Sequence, residues 1–357
     1  MKEASMISSN SKQLHSKPWF PEINLMRGML ILLVVTGHVV TQAVCVSPTL
    51  AMIFHILGDT IYSFHMPAFF MISGFLAYRF ILPENNVSKR TFTYQRWLRL
   101  MVPYFTLGCI YLPFKIGLPF ISRNIYQLSD IWKIFIGNNP DGALWYLYAL
   151  FCIFVLTEFL IKEKTLSQAI IICLILNIIS SFIIWPYAII PQILENLCFF
   201  LLGIYFRLHY SEILSIFRKK FIGILLLVIF ILCNFGLQFY HIKPMSLLTS
   251  ISGSALIFIF AMQINQRTAK KESPDSSMSG DTDTNKLLHL IGRYGMDIYI
   301  LSEPIKVIFR YLFIRLSVPT LLASILLIII SVAGSILLSK YLIRRIKFLR
   351  ILLLGMK

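Results

Sequence analysis

Ten stretches of this chain run apolar for about 20 residues, the length that carries an α-helix across a bilayer. They fall at roughly 23–44, 58–79, 98–115, 143–161, 168–186, 192–209, 220–240, 246–265, 288–312 and 319–341. The pattern predicts an all-α fold, a polytopic transmembrane bundle of about ten helices. An even number of crossings puts both termini on one side. If that side is the cytoplasm, it collects the basic clusters at Lys89–Arg99, Arg218–Lys220, Arg267–Lys271 and Lys340–Lys357. The opposite side keeps only Lys115, Arg123, Lys133, Lys243, Arg310 and Arg315. This asymmetry follows the positive-inside rule, so both termini are expected in the cytoplasm.

The polar intervals divide the chain further. Residues 1–21 read as a cytoplasmic N-terminal tail, 22–345 as the transmembrane domain and 346–357 as a basic C-terminal tail. A Ser/Asp/Thr-rich interval at about 268–286 has no apolar periodicity and reads as a flexible cytoplasmic connector. The external segment 116–142 closes on Asn138-Asn139-Pro140-Asp141-Gly142, a turn signal. Trp145 and Tyr146 follow it and are expected to anchor the next helix at the membrane interface. No internal repeat of fixed period is evident, which gives no support to an inverted-repeat transporter.

Composition agrees with the pattern and removes one class of function. Hydrophobic residues make up 57% and charged residues 14% of the chain, and mean hydropathy is +0.75. Soluble domains carry about a quarter charged residues. Lys and Arg outnumber Asp and Glu by 33 to 16, an excess that in a soluble domain would point to nucleic acid. Here its placement is explained by orientation, and no nucleic-acid partner is expected. The six cysteines lie in or beside apolar stretches without CxxC pairs, which predicts packing residues and no metal site. The first apolar run contains Arg27 and ends at Val46 without a small-x-small cleavage site, so the first helix is expected to stay uncleaved.

Ionisable groups inside membrane helices are costly, and each is by default a functional candidate. Arg27 and His38 are eleven residues apart, three turns with about 20° of offset, so they share a helix face about 16 Å apart along the axis. Arg27 sits at the cytoplasmic mouth as a phosphate-binding cation, and His38 lies beyond the midplane as a titratable imidazole. A snorkelling Arg27 and a hydrogen-bonded core His38 would explain the same residues. The second span carries Ser63-Phe64-His65-Met66-Pro67 with Ser73-Gly74 further in, and places His65 at the depth of His38. Pro67 frees a backbone carbonyl and Gly74 permits close helix approach, features of a cavity or of ordinary packing.

On the ninth span Glu303 falls at the same depth, either as a partner of the histidines or in a structural pair with Lys306. Glu158 and Glu195 are weaker candidates of the same kind. Lys89, Arg90, Arg96 and Arg99, before Pro103-Tyr104, suit a polyphosphate such as a coenzyme A nucleotide, and topology retention, the preferred explanation were it not for the histidines, accounts for the same charges.

These residues resemble a known family. Ile23-Asn24-Leu25-Met26-Arg27-Gly28 through Val35-Thr36-Gly37-His38 is similar to the first helix of the acyltransferase-3 family of integral membrane O-acyltransferases, marked by an Arg and a His with ten residues between. The run from Phe64 to Leu76 resembles that family's second-helix block in the version of the fucose 4-O-acetylase branch. Arg96-x-x-Arg99 with Pro103-Tyr104, Ala143 to Leu147, Phe200 to Gly203 and Ile298 to Leu301 follow in the family's order. The resemblance implies a multi-pass protein of a cell membrane, of bacterial type. Its members move an acyl group, commonly acetyl, from cytoplasmic acyl-CoA to a hydroxyl of an exported sugar or polysaccharide, without a metal.

Two positions depart from the family pattern. Asn24 stands where an Asp is usual, which removes a charged partner for Arg27, and Glu303 stands where a His is common. The expected site therefore comprises His38, His65 and Glu303 for the chemistry, and Arg27, Arg96 and Arg99 for the donor. The competing expectation is a proton-coupled transporter or flippase in which the same three central groups relay protons.

Overall fold

The computed structural model describes residues 20–43, 47–81, 89–117, 125–271 and 280–356. It is entirely helical, with no strand among the described residues. In chain order the helices are α1 (Pro21–Thr41), α2 (Pro48–Tyr62), α3 (His65–Ile81), α4 (Lys89–Arg96), α5 (Val102–Gly117), the short α6 (Ile131–Phe135), α7 (Trp145–Leu160) and α8 (Leu166–Ser180). There follow α9 (Ile189–Leu208), α10 (Tyr210–Phe217), α11 (Lys220–Tyr240), α12 (Met245–Lys271), α13 (Gly280–Arg293), α14 (Gly295–Arg315), α15 (Thr320–Leu338) and α16 (Lys347–Leu354).

Nine described helical stretches are long and apolar enough to cross a membrane. The remaining expected crossing is α14, whose 21 residues include Asp297, Glu303, Lys306, Arg310 and Arg315. Its charges exclude it on composition, and the protein interior shields two of them: Asp297 and Lys306 are buried.

Helix α1 is the axis of the bundle and packs against α2, α3, α12, α13, α14 and α15. Its apolar window is 72% buried, against 17% for the peripheral α11. Helices α3 and α9 approach so closely that side chains cannot stand between them. A Cβ on Gly74 would meet the Phe200 carbonyl, and one on Gly203 the Met71 carbonyl. Gly74→Val should therefore force the two helices apart and lower stability by about 1–3 kcal/mol. Thermal unfolding in detergent measures it, and an unchanged melting temperature would contradict the contact.

Several boundaries differ from the sequence reading. The second span is a broken helix: α2 ends at Tyr62, and α3 begins at His65. Pro67 has no N–H to offer the Ser63 carbonyl four residues back. Ser250 on α12 supplies the missing donor at 2.8 Å. The third span begins earlier, with α4, and passes through a π-helical turn at Trp97–Met101 into α5. The ninth span is two helices, α13 and α14, separated at Tyr294.

Of the expected 268–286 connector, residues up to 271 continue α12 and those from 280 belong to α13. Residues 272–279 lie outside the described residues, as do most of the N-terminal tail and Cys45. The other five cysteines are free thiols. The basic C-terminal tail contains a docked helix, α16. Its Leu354 is buried in the largest apolar cluster, with Leu349, Leu353 and Met356 packed alongside. Gly355 then closes α16 in the left-handed region (φ +60°) against the backbone of Leu98 and Arg99.

Candidate active site

The break between α2 and α3 sets the first element of the site. The His65 ring is buried and its Nδ1 lies 2.8 Å from the Ile61 carbonyl. A carbonyl oxygen only accepts, so Nδ1 carries the proton and Nε2 keeps its lone pair. His38 is fixed by a longer chain of the same logic. The Thr41 hydroxyl donates its single proton to the Gly37 carbonyl at 2.7 Å. It can then only accept from Tyr62, whose hydroxyl lies 3.2 Å away. With its own proton so used, the Tyr62 oxygen accepts from His38 Nδ1 at 3.2 Å. Both histidines thus present an unprotonated Nε2, the atom a general base needs.

His38 and His65 line one cavity of about 580 Å3 together with Tyr62. Its outer wall is polar: Asn177, Gln192, Glu195 and Asn196 face Lys243 and Ser246. Tyr62 stands between the two imidazoles, with ring centroids 5.9 Å from His38 and 5.2 Å from His65. The first turn of α3 also lines this cavity through His65, Met66 and Pro67. Tyr62 was missed in the sequence, where it is one more aromatic in an apolar run. Tyr62→Phe should lower turnover about tenfold by releasing the His38 tautomer, a small effect beside loss of the base itself. Steady-state rates check it, and an unaltered rate would remove Tyr62 from the site.

A second cavity, of about 230 Å3, lies toward the N-terminal end of α1. Arg27, Arg96, Arg99 and Arg293 line it, together with the hydroxyl-bearing Ser73 and Tyr146, and no carboxylate does. Tyr146 holds Ser73 at 3.1 Å and lies within the fields of Arg27 and Arg96. The Arg96 guanidinium is stacked 4.6 Å over Phe154, and Arg99 occupies the π-helical turn, a distortion often found at functional sites. Asn24 does not turn to Arg27. Its amide donates to His289 Nδ1 at 2.9 Å and to the His289 carbonyl at 3.1 Å, which ties α1 to α13.

The two cavities meet. Val34, Met66 and Tyr299 belong to both walls. The Tyr299 hydroxyl is tethered to the Ala143 carbonyl, and the turn that presents this carbonyl is capped by Asp141, which accepts from Ala143 N at 3.1 Å. Burial pushes the Asp141 carboxyl up to about 6, with the Glu303 charge adding to the effect. Trp145 lines the outer cavity and Tyr146 the second one. The turn at 138–142 folds inward, held by Asn139, which donates to the Tyr104 carbonyl at 3.0 Å.

Glu303 lines neither cavity. It is paired with the buried Lys306 at 2.5 Å, while its charge acts on both His38 and Tyr62. Glu195 lines the outer cavity, and Glu158 is buried away from both, accepting from Thr93 at 2.5 Å. Among the described residues no cluster of His, Cys, Asp and Glu is able to hold a metal ion.

The arrangement places cations in one cavity of a helix bundle, bases in the other and a three-residue partition between. No curated protein and no solved structure matches the chain. The model of the Acyl_transf_3 family, the acyltransferase domain, matches residues 20–340. The chain belongs to that family and is a multi-pass membrane acyltransferase.

Proposed function

We propose that this protein is an O-acyltransferase of a bacterial cell membrane that moves an acetyl group from cytoplasmic acetyl-CoA to a hydroxyl of a cell-surface or exported sugar, in the manner of the fucose 4-O-acetylase branch. The observation that carries this reading is the contact between an arginine-lined inner cavity and a histidine-lined outer one across Val34, Met66 and Tyr299. Arginine suits phosphate because its fork of donors matches the oxygens and stays charged when buried. Arg27, Arg96 and Arg99 hold the phosphates of the donor, and its pantetheine arm passes the partition toward His38.

In the reaction His38 Nε2 takes the proton of the acceptor hydroxyl as its oxygen attacks the thioester carbonyl. The C–O bond forms, and the negative charge moves to the carbonyl oxygen. When the intermediate collapses the C–S bond breaks, and the CoA thiolate takes the proton back from the His38 imidazolium. Glu303 offsets part of the opposing Lys306 charge at His38, while His65 orients the acceptor hydroxyl. The polar wall of Asn177, Gln192, Glu195 and Asn196 suits a ligand with several hydroxyl groups.

Purified protein in vesicles given acetyl-CoA at its cytoplasmic face should release free CoA thiol, and surface glycans of cells carrying the gene should gain the mass of one acetyl group. Substrate movement across the vesicle without acyl-CoA, and with no thiol released, would favour the transporter reading instead.

A further inference from the structure

A third cavity, of about 200 Å3, lies beside the other two and has no part in the transfer chemistry. Its walls are apolar except for Tyr205 and Ser254, and the Ser254 hydroxyl is already spent on the Ser250 carbonyl at 2.6 Å. Apolar cavities of about 150 Å3 stay dry and take up hydrocarbon ligands. The position of this one says which hydrocarbon. Helices α8 and α9 pack on each other, as do α11 and α12. Helices α3, α8, α9 and α12 each contribute to the walls of both the outer cavity and the apolar one.

On three helices the walls of the apolar cavity begin within about one turn of those of the outer one. Leu174 lies one turn from Asn177 on α8, Leu202 one turn from Phe199 on α9, and Ile251 adjoins Ser250 on α12. The two cavities share no wall residue but adjoin along these helices, the one polar where the histidines stand and the other largely apolar. With the inner, arginine-lined cavity the apolar one shares only Ile72.

We propose that the acceptor is an amphiphile: a hydroxyl-bearing polar head held in the outer cavity beside His38 and His65, joined to a hydrocarbon chain that runs inward into the apolar cavity. This rests on the outer cavity being the acceptor site. An outer-leaflet lipid has the right polarity, with its head outward and its chain directed to the bilayer centre. A free polysaccharide would leave the apolar cavity without a ligand. Each methylene buried there is worth about threefold to fourfold in affinity, so the chain would dominate recognition and the head would choose the hydroxyl.

The test uses full-length protein in lipid nanodiscs and a decyl glucoside whose chain ends in a diazirine. Photolysis followed by peptide mass spectrometry should place label on cavity residues such as Leu202, Phe206, Ala255 and Phe258. Unlabelled decyl glucoside should compete at least tenfold better than hexyl glucoside, and methyl glucoside hardly at all. Leu202→Trp, which fills the cavity, should cut this labelling about tenfold, and Ala255→Leu provides a smaller filler if the first variant folds poorly. Label confined to lipid-facing positions such as Ile224 and Ile231, unchanged by either variant, would overturn the proposal. So would cavity labelling displaced by decanoyl-CoA but not by decyl glucoside, because the hydrocarbon would then belong to the donor. Thiol release from acetyl-CoA is read on the same sample. Its absence would strike the transfer reading, whereas the labelling pattern decides the cavity.

Discussion

Replacing His38 with alanine is expected to lower acetyl transfer by about a thousandfold, within the range that a positioned general base contributes. The protein should fold normally, because His38 makes one side-chain hydrogen bond, to Tyr62, and its ring faces a cavity. The loss should fall on kcat with little change in the KM for acetyl-CoA, since the imidazole acts on the acceptor proton and not on the phosphates. Single-turnover and steady-state rates in vesicles measure it. A variant that retains transfer would remove His38 from the chemistry and return it to the status of a packed core residue.

The second large effect is expected at Arg27. A charge-assisted hydrogen bond to a phosphate is worth about 1.5–3 kcal/mol, so Arg27→Ala should raise the KM for acetyl-CoA by about tenfold to a hundredfold. Arg27→Lys keeps the charge but loses the planar fork, and should recover only part of the deficit. Since Arg27 shares its cavity with Arg96, Arg99 and Arg293, a double substitution of Arg27 and Arg99 should cost less than the sum of the single ones if all grip one phosphate group. The same substitutions should leave acceptor binding at the outer cavity untouched. Isothermal binding of CoA separates the two, and a KM that stays flat in Arg27→Ala would contradict a donor role.

Much of the architecture could be read along the chain because lipid imposes it: helix length and the placement of basic residues are global constraints that no local packing overrides. The shared face of Arg27 and His38 follows from helical periodicity, and the freed Ser63 carbonyl from the missing N–H of Pro67. What the sequence could not supply was the partner in each case. Ser250 meets that carbonyl across 187 positions of chain, and Asn24 meets His289 across 265.

Tyr62 is invisible for the same reason, since its role exists only as the middle link between Thr41 and His38. Trp145 and Tyr146 show how one pattern serves two outcomes. An aromatic pair at the mouth of a span anchors an interface when the helix is peripheral and walls a cavity when neighbouring helices close over it. For Glu303 both readings were open, and both hold part of the geometry: it is ion-paired to Lys306 and it also acts on His38.

Everything catalytic depends on the donor reaching across the partition of Val34, Met66 and Tyr299 so that its acyl carbon stands beside the imidazoles. The most direct measurement is a structure of the protein with an acetyl-CoA analogue in which a thioether replaces the thioester. The account predicts phosphates on Arg27, Arg96 and Arg99, and the acyl end within about 3.5 Å of His38 Nε2, near-attack distance. Phosphates bound elsewhere, or an acyl end that stops short of the partition, would contradict it.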